Sequence, residues 1–150
     1  MTVDAVILMG IPGAGKSTFF KARFVDTHVR INRDMLGTAH RQRALVEACC
    51  AARIPFVLDN TNVAVADRAE VMSQARAARF TVIGYFFESR IQACLERNAA
   101  RPNPVPEVGV RGRRNALELP RRAEGFDDLW YVKIAETGDF TVSRYEEATP

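Results

Sequence analysis

Short apolar runs alternate with segments of helical periodicity along this chain, and that alternation predicts an α/β fold. The apolar runs are uninterrupted, as expected for strands that are buried on both faces of a parallel sheet. Five strands are predicted, at 3–9, 28–31, 56–59, 80–87 and 129–134. Helices are predicted between them, at 16–24, 38–52, 65–79 and 89–101. We therefore expect a five-stranded, mainly parallel sheet flanked by helices.

The segment after the fourth predicted helix has the pattern of a small lid. Ser89 and Gln92 have the spacing of a capping box, which puts the start of that helix at Ser89. Prolines at 102, 104 and 106 end the helix near 101. The next predicted helix, 107–119, is weakened by two glycines, so we interpret 101–119 as a lid.

Length and composition predict a single domain over residues 1–150. Hydrophobic residues make up 47% of the chain, which is enough to bury one core. A turn signal at 137–139 also favours a short edge hairpin over 129–145. No apolar run approaches the roughly 20 residues that a membrane span needs, and the amino terminus lacks the positive charge of a secretory signal. We predict a cytoplasmic chain with no membrane contact.

Arginine dominates the basic residues, since 18 of the 21 Lys and Arg are Arg. Between 90 and 122, eight Arg stand against three Glu, a local net charge of +5. Because guanidinium groups bind phosphate in a bidentate manner, this block indicates a polyanionic ligand. The alternative is a solvated face of arginine-rich helices, and charge alone leaves DNA, RNA and nucleotides open. The three cysteines fit neither a disulfide framework nor a zinc site, so reduced thiols are expected.

A phosphate-binding loop follows the first predicted strand, because 10–17 matches the pattern G-x-x-x-x-G-K-[ST]. Its glycines let backbone N–H groups turn towards a phosphate, and the next helix adds the partial positive charge of its N-terminus. Lys16 is expected to face solvent and bridge the β- and γ-phosphates, and the Ser17 hydroxyl to bind Mg²⁺. The alternative is a glycine-rich turn without function. The residues expected to bind ATP here are Gly13, Ala14, Gly15, Lys16, Ser17 and Thr18.

Polar residues follow the second and third predicted strands. The carboxyl ends of parallel strands open into the ligand crevice, so Asp34 should face the γ-phosphate as a general base. An N-cap of the following helix would explain Asp34 equally well. Asp59 stands where a second Mg²⁺-organising carboxylate is expected, and Thr61 and Asn62 offer hydrogen bonds to a substrate. An Asx-rich turn accounts for the same residues.

Two arginines at the edge of the predicted lid complete the candidate site. Arg97 and Arg101 are four residues apart and therefore share one helix face. Guanidinium groups at that position would neutralise charge on a transferred phosphoryl group. Exposed helical arginines commonly have the same spacing, so the pair indicates a phosphate site only in combination with the phosphate-binding loop.

Taken in order, these motifs resemble the kinase domain of polynucleotide 5′-kinases, and the animal-type domains in particular. The shared motifs are GIPGAGKST at 10–18, INRDMLG at 31–37, LDNTN at 58–62 followed by Arg68, ERNAAR at 96–101, PVPEV at 104–108 and AEGF at 123–126. The resemblance implies an adenylate-kinase-like P-loop NTPase fold. It also implies Mg²⁺-dependent transfer of the γ-phosphate of ATP to a 5′-hydroxyl end of DNA or RNA.

The same resemblance implies roles for individual residues. They are Lys16 and Ser17 on ATP and Mg²⁺, Asp34 as general base, Arg68 in the acceptor pocket, and Arg97 and Arg101 as lid arginines. The phosphatase pattern D-x-D-x-T does not occur in the sequence, so 3′ end processing or ligation would fall to separate phosphatase or ligase chains. Two alternatives stay open. One is a P-loop kinase for a nucleoside, sugar or antibiotic, and the other is a nucleotide-binding switch or ATPase module.

Overall fold

The computed structural model describes residues 2–147, and six strands in this range form one sheet in the order β2-β3-β1-β4-β5-β6. Five of the strands are parallel, and the last runs antiparallel to its neighbour. The sixth strand belongs to the predicted edge hairpin. The strands are β1 (Asp4–Met9), β2 (Val29–Ile31), β3 (Phe56–Asp59), β4 (Thr81–Phe87), β5 (Asp128–Ile134) and β6 (Phe140–Arg144).

Helices connect the parallel strands and lie on both faces of the sheet. Each predicted helix is present, and no end lies more than three residues from its predicted position. Two short elements were not predicted, a one-turn helix after β2 and a 3₁₀ helix at Arg122–Glu124. The helices are α1 (Lys16–Arg23), α2 (Arg33–Leu36), α3 (Ala39–Ala52), α4 (Val65–Ala77), α5 (Ile91–Ala99) and α6 (Glu107–Ala116).

Two apolar clusters bury the two faces of the sheet, which explains why the strand sequences are continuously apolar. Along β1, Ala5, Ile7 and Met9 belong to one cluster, and Val6 and Leu8 belong to the other. The first cluster packs beneath α3 and α4. The second lies beneath α1, α5 and α6. The central strands are thus held from both sides, and their carboxyl ends share one edge of the sheet.

The segment predicted to be a lid is docked on α5. The side-chain amide of Asn98 donates to the Val105 carbonyl at 2.7 Å, and the Val105 amide donates to the Asn98 oxygen at 3.0 Å. Val110 on α6 is fully buried in the cluster beneath α1 and α5. The lid function of 101–119 stays a prediction.

The edge hairpin of β5 and β6 adds the sixth strand to the sheet and packs against α1. The ring of Phe140 on β6 lies 5.1 Å from the ring of Phe19, in an edge-to-face arrangement. Phe140 and Ile134 also lie against Gly15. Across residues 2–147, no helix is both long and apolar enough to cross a bilayer.

Candidate active site

The loop between β1 and α1 has a conformation that requires its glycines. Gly13 and Gly15 have φ angles of +86° and +100°, in the left-handed region that favours glycine. A Cβ on Gly13 would overlap the carbonyl oxygen of Cys94 on α5. Gly15 is the N-cap of α1, so the first backbone N–H groups of that helix point into the loop. The loop therefore presents donors at a helix N-terminus, an arrangement that binds phosphate.

Lys16 is buried, contrary to the expectation that its ammonium faces solvent. The side chain is 8% exposed, and Nζ donates to the Ile11 carbonyl of the same loop at 3.0 Å. A buried ammonium needs an acceptor, and the loop carbonyl is within its reach. Burial lowers the pKa of Lys16 from 10.5 to about 8, although the charge of Asp59 acts in the opposite direction.

Ser89 supports the loop and does not cap α5, so the capping-box prediction is wrong. Its hydroxyl accepts a hydrogen bond from the Ile11 amide at 3.2 Å and donates to the Phe87 carbonyl at 2.9 Å. The helix begins at Ile91, and its N-cap residue, Arg90, makes no side-chain capping bond. The spacing of Ser89 and Gln92 matches a capping box, but the Ser89 hydroxyl accepts from the buried Ile11 amide of the loop instead.

Ser17 and Asp59 meet at the carboxyl end of β3 and fit the ligand set of a magnesium ion. The Ser17 hydroxyl donates to Asp59 Oδ2 at 3.2 Å, and Asp59 is 2% exposed. Mg²⁺ in nucleotide sites takes one or two hard protein oxygens and completes its shell with phosphates and water. In the part of the chain described, no group of three or more His, Cys, Asp or Glu forms an all-protein metal cage.

Arg30 on β2 joins the same pair. Its Nε donates to Asp59 Oδ2 at 2.8 Å, and its Nη2 donates to Ser17 Oγ at 3.1 Å. The Asp59 carboxylate therefore has a counter-cation within the protein. No signal in the sequence pointed to Arg30, because its role depends on the order of strands β2, β3 and β1.

Asp34 lies on α2, exposed, with no hydrogen bond or ion pair to any described residue. The N-cap interpretation is wrong, since Asn32 caps α2 by accepting from the Met35 amide at 2.9 Å. Asn32 also donates to the Asp59 carbonyl at 2.6 Å. The cap thus fixes α2 beside the end of β3 and leaves the Asp34 carboxylate available.

The two arginines predicted at the lid edge differ in their contacts. Arg97 Nε donates to the Gly13 carbonyl at 2.6 Å, so this side chain holds the phosphate-binding loop. Arg101 is exposed, and its positive charge contributes to the lowered pKa of Lys16. Arg97 therefore contacts the loop directly, whereas Arg101 acts on Lys16 through its charge.

Comparison with known families identifies the architecture. Residues 6–120 match the family described as AAA domain, AAA_33. The chain belongs to this family. The matched region contains the loop, Asp34, Asp59 and both lid-edge arginines, so the AAA_33 domain includes every candidate site residue and has the P-loop kinase fold.

Individual relatives of the AAA_33 domain are distant. The bifunctional polynucleotide phosphatase/kinase of Schizosaccharomyces pombe is 25% identical over 91% of this chain, which spans only 35% of that protein. A gluconokinase from Sinorhizobium meliloti 1021 has a TM-score of 0.62 at 18% identity, over 89% of this chain and 83% of that one. Kti12 of Chaetomium thermophilum, solved with ADP-AlF3, has a TM-score of 0.61 at 17% identity, over 89% and 92%.

Arg68 of the AAA_33 domain lies inside the protein, contrary to its predicted place in an acceptor pocket. Its side chain is fully buried and forms a bidentate pair with Glu124 at 2.7 and 2.9 Å. The remaining donors reach the carbonyls of Asn62, Val63 and Glu118 at 2.8 to 3.3 Å. A buried guanidinium requires this many acceptors, and they leave no donor for a substrate.

Asn62 is likewise occupied, while Thr61 is accessible. Asn62 has a φ of +46°, is 3% exposed, and donates to the Leu8 carbonyl at 2.7 Å. The backbone carbonyl of Thr61 accepts from Gly10 at 2.9 Å, and its side chain is half-buried. Of the predicted substrate residues on this turn, Thr61 alone keeps a side chain free of bonds to the described protein.

Proposed function

We propose that this chain is a kinase that transfers the γ-phosphate of ATP, with Mg²⁺, to the 5′-hydroxyl end of DNA or RNA. The observation that carries phosphoryl transfer is the Asp34 carboxylate, accessible beside a site that holds Lys16, Ser17 and Asp59. A nucleotide-binding switch does not need an acceptor-side carboxylate. A kinase needs one to take the proton of the attacking hydroxyl.

The proposed reaction uses these residues in complementary roles. The acceptor hydroxyl gives its proton to Asp34 as its oxygen bonds to the γ-phosphorus. The bond between that phosphorus and the bridging oxygen breaks, and ADP leaves with the electron pair. The Lys16 ammonium and the loop amides stabilise charge on the phosphates, with Arg101 beside them. Ser17 and Asp59 would hold Mg²⁺, which would neutralise further charge on the phosphates.

Exposed arginines on α6 support a polynucleotide acceptor. Arg113 and Arg114 are exposed and form no ion pair with any described residue, whereas Arg111 is paired with Glu107 at 3.1 Å. The end of this segment reaches the site, since the Glu118 amide donates to the Val63 carbonyl at 2.8 Å. The resemblance of the motifs and the Schizosaccharomyces pombe relative favour the same acceptor.

A small hydroxyl compound is the second candidate acceptor. The burial of Arg68 removes the contact expected for an acceptor phosphate, and this favours an acceptor without a phosphate chain. The same fold also occurs in a gluconokinase. The reaction and the role of Asp34 would be unchanged.

We also propose a cytoplasmic protein that acts beside separate phosphatase or ligase chains. The cysteines at 49, 50 and 94 are free thiols, which suits a reducing compartment. A kinase module that prepares 5′-phosphate ends would supply the substrate of a ligation reaction.

Phosphate transfer from labelled ATP to a panel of acceptors tests the proposal. We expect a 5′-hydroxyl oligonucleotide to be a far better substrate than the matching nucleoside or a sugar acid. Each phosphate contact releases counterions, so the oligonucleotide should bind more weakly as salt rises. A plot of the logarithm of the association constant against the logarithm of the salt concentration should have a slope of about −0.7 per contact. Equal use of oligonucleotide and nucleoside, without a salt slope, would favour the small-molecule kinase.

A double substitution on α6 tests the arginine contacts. Arg113→Gln with Arg114→Gln should raise KM for the oligonucleotide and make its salt slope shallower by roughly 1.4, while kcat is retained. Arg79→Gln is the control for loss of an exposed arginine. Arg79 lies before the start of β4, at the end of the sheet opposite the phosphate-binding loop. An unchanged KM in the double variant would exclude Arg113 and Arg114 from acceptor binding.

A further inference from the structure

Arg30 spans three elements to reach the residues assigned to Mg²⁺. It lies on β2 at the outer edge of the parallel sheet, opposite Val57 of β3. Its guanidinium passes over β3 to Asp59 and on to Ser17 at the start of α1. These contacts close a triangle of hydrogen bonds, because Ser17 also donates to Asp59.

The triangle uses the oxygen atoms that a magnesium ion would need. Asp59 Oδ2 accepts from both Arg30 Nε and the Ser17 hydroxyl. Ser17 Oγ accepts from Arg30 Nη2, so one lone pair of that hydroxyl is taken. A dication bound to these oxygens would stand beside the positive guanidinium, and like charges at that distance repel each other. In this arrangement the guanidinium and a metal ion on these oxygens therefore weaken each other's binding.

Arg30 is more exposed and makes fewer hydrogen bonds than Arg68. Its side chain is 29% exposed, and it makes only two hydrogen bonds to the protein. Arg68, the other arginine in a buried ion pair, is 0% exposed and donates five hydrogen bonds. The ring of Phe20 lies 5.9 Å from the Arg30 guanidinium carbon and offers a second, uncharged contact.

We propose that Arg30 is a built-in competitor of Mg²⁺ for Ser17 and Asp59, and that its guanidinium withdraws when the metal binds with nucleotide. This inference rests on the metal assignment in the proposed function. Arg30 keeps the buried Asp59 carboxylate paired and in place for the ion. It also ensures that the metal binds strongly only together with phosphates, whose negative charge compensates the displaced guanidinium.

Calorimetric titration of ADP at several Mg²⁺ concentrations tests the competition without measuring catalysis. Arg30→Gln removes the charge and keeps a polar side chain. We expect the Mg²⁺ affinity measured with ADP to rise roughly tenfold, a size typical of coupling between two ligands. The variant without metal should melt at a lower temperature than the wild type and regain more on addition of Mg²⁺ and ADP.

Two further variants make the result specific. Arg33→Gln removes the same charge three residues away, where the exposed side chain has no bond to any residue from 2 to 147. It should change the Mg²⁺ affinity much less than Arg30→Gln. Arg30→Lys retains a charge near Asp59 without the planar fork that reaches both partners, so it should give an intermediate affinity. It serves as the test if the glutamine variant does not fold.

The outcomes separate this inference from the proposed function. If the wild type binds Mg²⁺ with ADP and Arg30→Gln binds the metal equally well or more weakly, the competition is overturned and the kinase proposal stands. If ADP binding by the wild type does not depend on Mg²⁺, the metal assignment itself fails, and the competition fails with it. Tighter metal binding by Arg30→Gln but not by Arg33→Gln supports the competition.

Discussion

Lys16 has an unusual environment for a lysine, since it is buried and its pKa is lowered to about 8. At pH 8 about half of the side chains are therefore neutral before nucleotide binds. Phosphates favour the charged form, so binding of ADP should raise this pKa and take up about half a proton per site at pH 8. Calorimetry of ADP binding in buffers with different ionisation heats measures that number.

The dependence of proton uptake by Lys16 on pH provides two controls, a lower pH and a variant that stays charged. Well below pH 8 Lys16 is already protonated, so proton uptake by this group should vanish at pH 6. Above pH 8 each binding event must supply the missing proton, so ADP affinity should fall as pH rises. Lys16→Arg keeps its charge throughout this range and should show no uptake at pH 8. Equal uptake in wild type and variant would assign the proton to another group.

Asp34 is the proposed general base, and we expect its substitution to separate catalysis from binding. Asp34→Asn keeps the size and polarity of the side chain but removes the base, so kcat should fall by about 10² to 10⁴ with ADP affinity nearly unchanged. The melting temperature should stay the same, because Asn32, and not Asp34, caps α2. A full rate in this variant would place the base elsewhere.

At the residue scale, the sequence predicts those positions whose chemistry is local. Lys16 and Ser17 follow from the loop pattern, because the pattern fixes their backbone geometry. Ser89 and Arg68 could not be assigned correctly, since their partners lie 78 and 56 positions away in the chain. A hydroxyl or guanidinium is used by whichever buried backbone group needs it, and that need arises only in the folded protein.

At the scale of elements, Arg68 fastens three segments that meet near the site. Its guanidinium on α4 binds Glu124 of the 3₁₀ helix, the carbonyl of Glu118 after α6, and the turn after β3. This anchor holds the end of the predicted lid against the turn that follows Asp59. Its loss should therefore loosen the lid before it disturbs the central strands.

Arg68→Met should destabilise the protein by about 3 to 5 kcal/mol, because it leaves Glu124 beside a buried surface without its partner. Urea unfolding followed by circular dichroism measures the loss. In a double-mutant cycle with Glu124→Leu, the combined loss should be clearly smaller than the sum of the two single losses. Additive losses would mean that the two side chains are not coupled.

Helices of two or more turns were predictable, and the single-turn helix was not. The helices α3 and α4 span 14 and 13 residues, long enough for their extent to be predicted, although their apolar periodicity is weak and the buried face of α4 includes Arg68. The four-residue helix α2 is too short for a period to appear, and it exists because Asn32 caps it and the Asn60 side chain accepts from Arg33. The parallel order β2-β3-β1-β4-β5 required knowledge of contacts between strands.

For the whole molecule, the folding unit extends beyond the region that matches the family. The match ends at residue 120, yet β5 supplies Leu129 to one apolar cluster and Val132 to the other. A chain of residues 1–120 would also lack Glu124, the partner of Arg68. We expect this fragment to show no cooperative thermal unfolding by circular dichroism, in contrast to the full chain. A sharp transition in the fragment would contradict this expectation.

The antiparallel direction of β6 has a practical consequence for attaching the protein to other molecules. Phe140 begins the strand beside Ile134, near the phosphate-binding loop, and Arg144 ends it beside Trp130, near the start of β5. Tyr145 then bonds to Leu129, while at the other terminus Val3 bonds to Thr81 at the start of β4. Both ends of the described chain thus lie at the amino ends of the parallel strands, opposite the phosphate-binding loop. A fluorophore, a surface linker or a fused enzyme joined at either end would leave the proposed site for ATP and acceptor unobstructed.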